Sequence, residues 1–270
     1  MQKLDGCHLG INALIRGGAG TSDAQIEEFF APLRKLEDLR PRIKGAGNVE
    51  RYEYWLNLVR ASELRVRTWV LAARLATKLK QANAIQDANG KRDLVRKEVL
   101  PLRCDLARSY ENLIAAFVNC AKSPGEIGTI SSIESGSRER IVSSQDRAIA
   151  RILGEPLPPE AAVSTAYRGT PRIFVSARRT QANVGEPQEI RAFVLSGAQC
   201  SGVNLYWRSL GAGSFKKLSA THRSRQAYRV ALPARSPGTL EYYLEAALAD
   251  GRTVRWPATA PSVNQTVIVW

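Results

Sequence analysis

The stretch GEPLPPEAAVSTAYRGTP, Gly154 to Pro171, decides how this chain is read. It holds four prolines and two glycines and follows neither the helical nor the strand hydrophobic period. Proline fixes φ and removes a backbone donor, so residues 154–171 read as a linker between a domain over 1–153 and a second over 172–270. A length of 270 residues fits this division, since a domain averages roughly 150. Charge divides unevenly across it. The chain carries +14 in all, and from Ala161 onward 14 basic side chains face 5 acidic ones, so the shorter part holds +9.

Downstream of the linker the period is two. The runs 172–177, 188–196, 203–210, 214–219, 226–232, 240–249, 252–256 and 265–270 are short and β-rich, with Gly, Pro, Ser and Asn between them. Seven or eight strands in about 100 residues predict an immunoglobulin/fibronectin-like antiparallel β-sandwich. Alternation turns Val203, Leu205 and Trp207 inward, with Trp207 a core residue, and Asn204, Tyr206 and Arg208 outward. The same rule turns Leu240, Tyr242, Leu244 and Ala246 inward and Glu241, Tyr243 and Glu245 outward. Gly211-Ala212-Gly213 and Asp250-Gly251 supply the positive φ of hairpin turns.

Upstream the pattern is helical, and the fold class is an N-terminal all-α helical domain of five or six helices followed by the sandwich. Ser22 and Gln25 form a capping box, so a helix starts at Asp23; Pro32 interrupts it, Pro41 stops it, and Phe29, Leu33, Leu36 and Leu39 form its buried side. Asn48 is the expected N-cap of a long helix from Val49 to about Gln81, with Trp55, Val59, Val66, Trp69, Ala73 and Ala76 as its apolar stripe. Beyond an Asn89-Gly90 turn, Leu94 to Val118 marks another long helix, kinked at Pro101 and ended by Ser123-Pro124-Gly125. Ile127, Ile130 and Ile133 suggest a short helix, and Ile141 to Leu153 a last one.

No catalytic constellation emerges. His8 and His222 are the two histidines, neither beside a nucleophile elbow. Cys7, Cys104, Cys120 and Cys200 lack zinc spacing, so no metal is expected, and no cofactor either. Cys104 and Cys120 on one helix would lie about 24 Å apart, beyond disulfide reach. Gly17 to Ser22, GGAGTS, lacks the lysine and preceding strand of a phosphate loop and reads as a flexible helix entry. Glu27-Glu28 and Glu37-Asp38 sit where helix dipoles and solvent explain them. No apolar run approaches the roughly 18 residues of a membrane span, and no signal peptide is evident.

Two surfaces stand out. Arg60, Arg67 and Arg74 recur every seven residues with Lys78 four further on, a stripe that reads either as a polyanion or nucleic-acid site or as a solvated helix face. On the sandwich, adjacency of the 203–210 and 240–249 strands would gather Tyr206, Arg208 and Tyr243 on one outward face. That face suits stacking of a sugar ring or, as the structural alternative, packing beneath the helical domain. Trp256 and Trp270 are further surface candidates.

The tail segments LYWRSLGAGSFKKL, YRVALP, GTLEYYLEAALADGRTVRWPATAP and NQTVIV resemble the C-terminal β-sandwich of large secreted bacterial polysaccharide-degrading enzymes, agarase-like glycoside hydrolases among them. GAGNVERYEYWLNLVRASELR and KEVLPLRCDLARSYENLIAAFVN resemble the helical segment that joins the catalytic barrel of such an enzyme to its sandwich. The resemblance implies a non-catalytic C-terminal accessory region, with the barrel and its acid/base carboxylates before residue 1, so no active-site residue carries over. It implies a polysaccharide and an upstream catalytic domain as partners, no membrane, and an extracellular or periplasmic location. A free-standing chain without a signal peptide would instead be cytoplasmic, and polyanion binding or a protein-interaction role would then come forward.

Overall fold

The computed structural model describes residues 2–176, 178–186, 188–234 and 236–270, with side chains from Leu9 onward. The chain is mixed α and β, with a helical N-terminal part and a C-terminal part built of largely antiparallel sheets. It forms two compact units, one of Met1–Arg42, Tyr54–Cys120 and Ile127–Thr165 and one of Ile43–Glu53, Ala121–Glu126 and Ala166–Trp270. No helix among the described residues is long and apolar enough to cross a membrane.

The helices are α1 (Gln2–Gly17), α2 (Asp23–Phe29), α3 (Ala31–Asp38), α4 (Ala46–Ala84), α5 (Ala88–Leu94), α6 (Leu100–Cys120), α7 (Pro124–Ser137) and α8 (Asp146–Leu153). Helix α2 begins as expected: Ser22 accepts from the Gln25 amide while the Gln25 side chain accepts from the Ser22 amide. Its buried side is shifted, with Ile26, Phe30 and Leu33 buried and Leu39 exposed. Helix α4 starts three residues before Val49, so Asn48 lies inside it, its amide donating to the Lys44 carbonyl, and is not the cap.

The apolar stripe assigned to α4 is also corrected. Trp55 is 59% exposed and Ala76 is exposed, while Leu56, Ala61, Val66, Val70, Leu75, Leu79 and Ala82 are buried. The physical reason is a buried arc wider than one stripe. Ala61 packs with Leu113 and Ala116 of α6, and Leu75, Leu79 and Ala82 join Val99, Tyr110, Val142 and Ile149.

Asn89 and Gly90 do not make a turn. They lie in the first turn of α5, where Asp87 caps the Gly90 amide at 2.6 Å. Before Pro101 the helix widens into a π segment, Val95–Val99, which accommodates a residue that has no N–H to donate. Ser123-Pro124-Gly125 starts a helix rather than only ending one. The Ser123 hydroxyl accepts from the Glu126 amide, and the Glu126 carboxylate takes the Lys122 amide at 2.6 Å. A second π segment, Arg138–Ser143, precedes α8, which ends at Gly154 with φ +77°, the left-handed cap that favours glycine. In the proline-rich stretch that follows, Ala161 is buried, and Leu157 and Val163 pack on the helical core.

The strands are β1 (Arg172–Val175), β2 (Gln181–Ala182), β3 (Gln188–Leu195), β4 (Cys200–Ser209), β5 (Lys216–Ser219), β6 (Thr221–Ser224), β7 (Ala227–Leu232), β8 (Gly238–Leu248), β9 (Thr253–Trp256) and β10 (Gln265–Val269). One sheet runs β1-β3-β7-β6, the other β2-β10-β8-β4-β5 with β9 also on β8. All pairs are antiparallel except β2 with β10. Residues from both sheets enter one core, among them Ile190, Val194 and Val230 from the first and Val203, Leu205, Tyr242, Leu244 and Val267 from the second. The inward set predicted from alternation is buried, apart from Trp207, which is half-buried at the core margin. Trp256 is buried near Tyr242, not a surface residue, whereas Trp270 is exposed. The chain passes from one sheet to the other at Ala220, between β5 and β6.

Candidate functional site

Register places the predicted outward residues together. β4 and β8 pair Tyr206 with Tyr243 and Arg208 with Glu241, so side chains on one pleat face meet across the strands. The two tyrosine rings stack with centroids 4.8 Å apart and planes 7° from parallel. Phe215 meets Tyr243 edge-on at 5.1 Å, and the Arg208 guanidinium lies 4.1 Å over the Phe215 ring.

The charged groups of this face are engaged by their neighbours. Arg208 donates through Nε to Glu241 at 2.7 Å and through Nη1 to the Gly213 carbonyl at 2.7 Å. Asn264 donates to the other Glu241 oxygen at 2.8 Å. The Asn264 hydrogen bond holds the Glu241 carboxyl below the usual carboxylate range against the effect of burial, and Arg208 adds to it. Glu241 faces outward as expected yet is buried, and so is Tyr243 at 8% exposure, because Tyr206 and Phe215 cover its ring. Burial, then the Glu245 charge, pushes both tyrosine hydroxyls above their ordinary value.

A difference in stability follows from this stacking. Tyr243→Ala should cost about 3 kcal/mol and Tyr206→Ala only about 1 kcal/mol, since truncation of a buried ring forfeits packing that a half-exposed ring retains little of. Urea unfolding followed by tryptophan fluorescence measures both; equal losses would show that Tyr243 is not held by its neighbours.

On the opposite side of β4, Trp207 borders a cleft of about 600 Å³. Ser209, Lys216, Pro237 and Thr239 line it as well, which mixes hydroxyls, an amine and apolar ring surface. The Lys216 ammonium stands 5.0 Å from the centre of the indole. The indole N–H is buried and has no acceptor among the described residues. Tryptophan donates only through that group, so a buried indole without an acceptor is unusual. Alternation assigns Trp207 to the core; what reading by strand period misses is that β4 borders the short, exposed edge strand β5, so that Trp207 packs on the core only in part.

The basic stripe on α4 is differently placed than a ligand site requires. Arg60 pairs with Glu37 at 2.9 Å, Arg67 with Glu63 at 2.7 Å and also with Glu27, Arg74 with Asp23 at 3.1 Å and with the Thr21 carbonyl, and Lys78 with Glu98 at 2.5 Å. Each of the four cations thus faces a carboxylate of its own unit. The acidic residues read as solvated helix ends, Glu27 and Glu37, are the partners of this seam. For Glu27 burial raises the carboxyl, but hydrogen bonds and charge from Arg34 and Arg67 outweigh it and hold the group below its ordinary value.

Of the residues weighed for catalysis, His222 lies on β6, its Nε2 2.6 Å from the Arg225 carbonyl. The side chains of Cys7 and His8 lie outside the described residues. Cys104 and Cys120 are both on α6 and Cys200 is buried, and none of the three forms a disulfide among the described residues. Among the described residues no group of three His, Cys, Asp or Glu is placed to hold a metal ion.

No protein-family model matches the sequence, and no curated protein matches it. Among solved structures the chain is similar to an engineered protein known from a crystal structure, at a TM-score of 0.31 and 15% identity, over 44% of this chain. The chain spans 26% of the length of that engineered protein.

Proposed function

We propose that this chain is a non-catalytic accessory region of a bacterial polysaccharide-degrading glycoside hydrolase, and that its two-sheet unit is an immunoglobulin/fibronectin-like sandwich that contacts sugar at the Trp207 cleft. What supports the sugar contact is the Trp207 ring bordering a cleft that Ser209, Lys216 and Thr239 also line, together with an indole N–H that has no acceptor among the described residues. A sugar hydroxyl is an acceptor of the right chemistry, its C–H faces suit an aromatic wall, and Lys216 would favour a sulfated or uronate unit. The Tyr206, Arg208 and Tyr243 face is the weaker candidate, because Arg208 and Glu241 already serve each other and the Tyr243 ring is covered by Tyr206 and Phe215. Polyanion binding through Arg60, Arg67, Arg74 and Lys78 would require displacing the five carboxylates those cations face.

Affinity electrophoresis in gels containing neutral or sulfated algal polysaccharide tests the contact. Retardation of the wild-type chain should fall about tenfold in Trp207→Phe, which keeps an aromatic ring and removes the donor, and remain in Tyr206→Ala. Retardation unchanged in Trp207→Phe, or absent in the wild type, rejects the cleft. Association with a hydrolase is tested separately by reading the genomic DNA upstream of the Met1 codon. An in-frame barrel-coding segment supports it, and an immediate stop codon removes it.

A further inference from the structure

We propose that the free edge of β5 takes up an acidic segment of a partner polypeptide as an added strand. This goes beyond the sugar-contact reading and does not rest on it. β5 is the last strand of its sheet, and Lys216, Lys217, Leu218 and Ser219 are all exposed. Its inner side is occupied. β4 pairs with it from Asn204–Ser219 to Trp207–Lys216 without a register shift, and the Ala220 amide next to it donates to the Val203 carbonyl at 2.8 Å. Backbone groups alternate in direction along an antiparallel strand, so Lys216 and Leu218 turn theirs to β4 as Ala220 does. The N–H and C=O groups of Lys217 and Ser219 therefore point away from the sheet, with no ladder partner among the described residues. An added strand supplies those partners.

The side chains say what kind of strand. From Ile190 to Leu240 the sequence has no Asp or Glu. Within that stretch Arg191 and Arg229 meet Glu189 and Arg208 meets Glu241, whereas Lys216 and Lys217 form no ion pair among the described residues. The two lysines turn to opposite faces of the sheet. The Lys216 ammonium stands 5.0 Å from the Trp207 ring centre and that of Lys217 5.9 Å from the Tyr206 ring centre, each beside its cross-strand partner. A polyanion lying on one face meets only one of them. A strand alternates as β5 does, so two adjacent acidic residues bring a carboxylate to each lysine. Leu218 follows them as an exposed apolar side chain and suits an apolar neighbour. The matching segment is thus extended and, in antiparallel order, reads apolar, acidic, acidic.

NMR titration of the full chain with the peptide acetyl-Thr-Val-Glu-Glu-Val-Thr-amide tests the proposal. Saturable binding with Kd of about 1 mM or tighter is expected, with slowed exchange of the Lys217 and Ser219 amide protons. The same peptide N-methylated at both Glu residues keeps its charges but has a blocked N–H on either edge, and should not bind. Lys217→Glu should weaken the unmodified peptide about tenfold, since an attraction becomes a repulsion. Ser219→Pro removes an outward N–H that β4 does not use and should weaken it about fivefold. Circular dichroism establishes that both variants are folded. No saturable binding by the wild type up to about 5 mM peptide would overturn the proposal. So would equal binding of the N-methylated peptide, or unchanged affinity in folded Lys217→Glu and Ser219→Pro. Tighter binding of dextran sulfate or a DNA oligonucleotide, undiminished in Ser219→Pro, would overturn it as well and make the lysines a polyanion surface.

Discussion

Asp146→Ala should lower the unfolding free energy of the helical unit by about 3–5 kcal/mol, because it leaves the buried Arg103 guanidinium without its carboxylate. Arg103 is among the largest fully buried side chains, and Asp146 receives its Nε and Nη2. Asp146 itself is 31% exposed, so the cost lies with the arginine left behind rather than with the carboxylate removed. Replacing Arg103 as well, with Met of similar length, should recover most of the loss, since the buried charge then disappears. Urea denaturation of the wild type, Asp146→Ala and the double variant measures this. A single variant within about 1 kcal/mol of wild type would mean that Arg103 reaches solvent when its partner is gone.

The combined replacement of Arg34 and Arg67 by Met should cost a similar amount, about 3–5 kcal/mol, through the converse defect. Glu63 is 6% exposed and accepts from Arg34 Nη2 and Arg67 Nε, each at 2.7 Å. Each cation keeps Glu63 compensated when the other is removed, so each single variant should cost much less than half of the double. With both gone, the buried carboxylate is left without a cationic partner. Glu63→Gln in the same background should therefore restore most of the loss. A deficit that Glu63→Gln leaves unchanged would locate the loss in packing of the arginine stems instead.

The β part was legible because a period of two is unambiguous when one face is buried. The inward assignment of Val203, Leu205, Tyr242 and Leu244 and the Tyr206–Tyr243 register needed only alternation and strand adjacency. β2 and β6 escaped notice for the same reason in reverse: β2 has two residues, and every residue of β6 is exposed, so neither shows a pattern. The helical part was less legible. α4 is covered over more of its circumference than a single stripe allows, so Trp55 was assigned inside while Leu56 and Ala61 carried the contact. The charge stripe was seen, but not its partners, since Glu27 and Glu37 lie far from Arg67 and Arg60 in sequence. The unserved nitrogens of Arg103 and Trp207 have no sequence signal at all, because they depend on what is missing nearby in space.

The crossing at Ala220 gives β5 and β6 a further significance. Each forms one border of its sheet, four residues long and exposed throughout, with Lys216 and Lys217 on one and His222 and Arg223 on the other. A sheet border is a template onto which another chain can add, and brevity together with like charge is how proteins blunt it. Two copies approaching border to border would meet cation against cation, which disfavours pairing of the open ladder edges with each other.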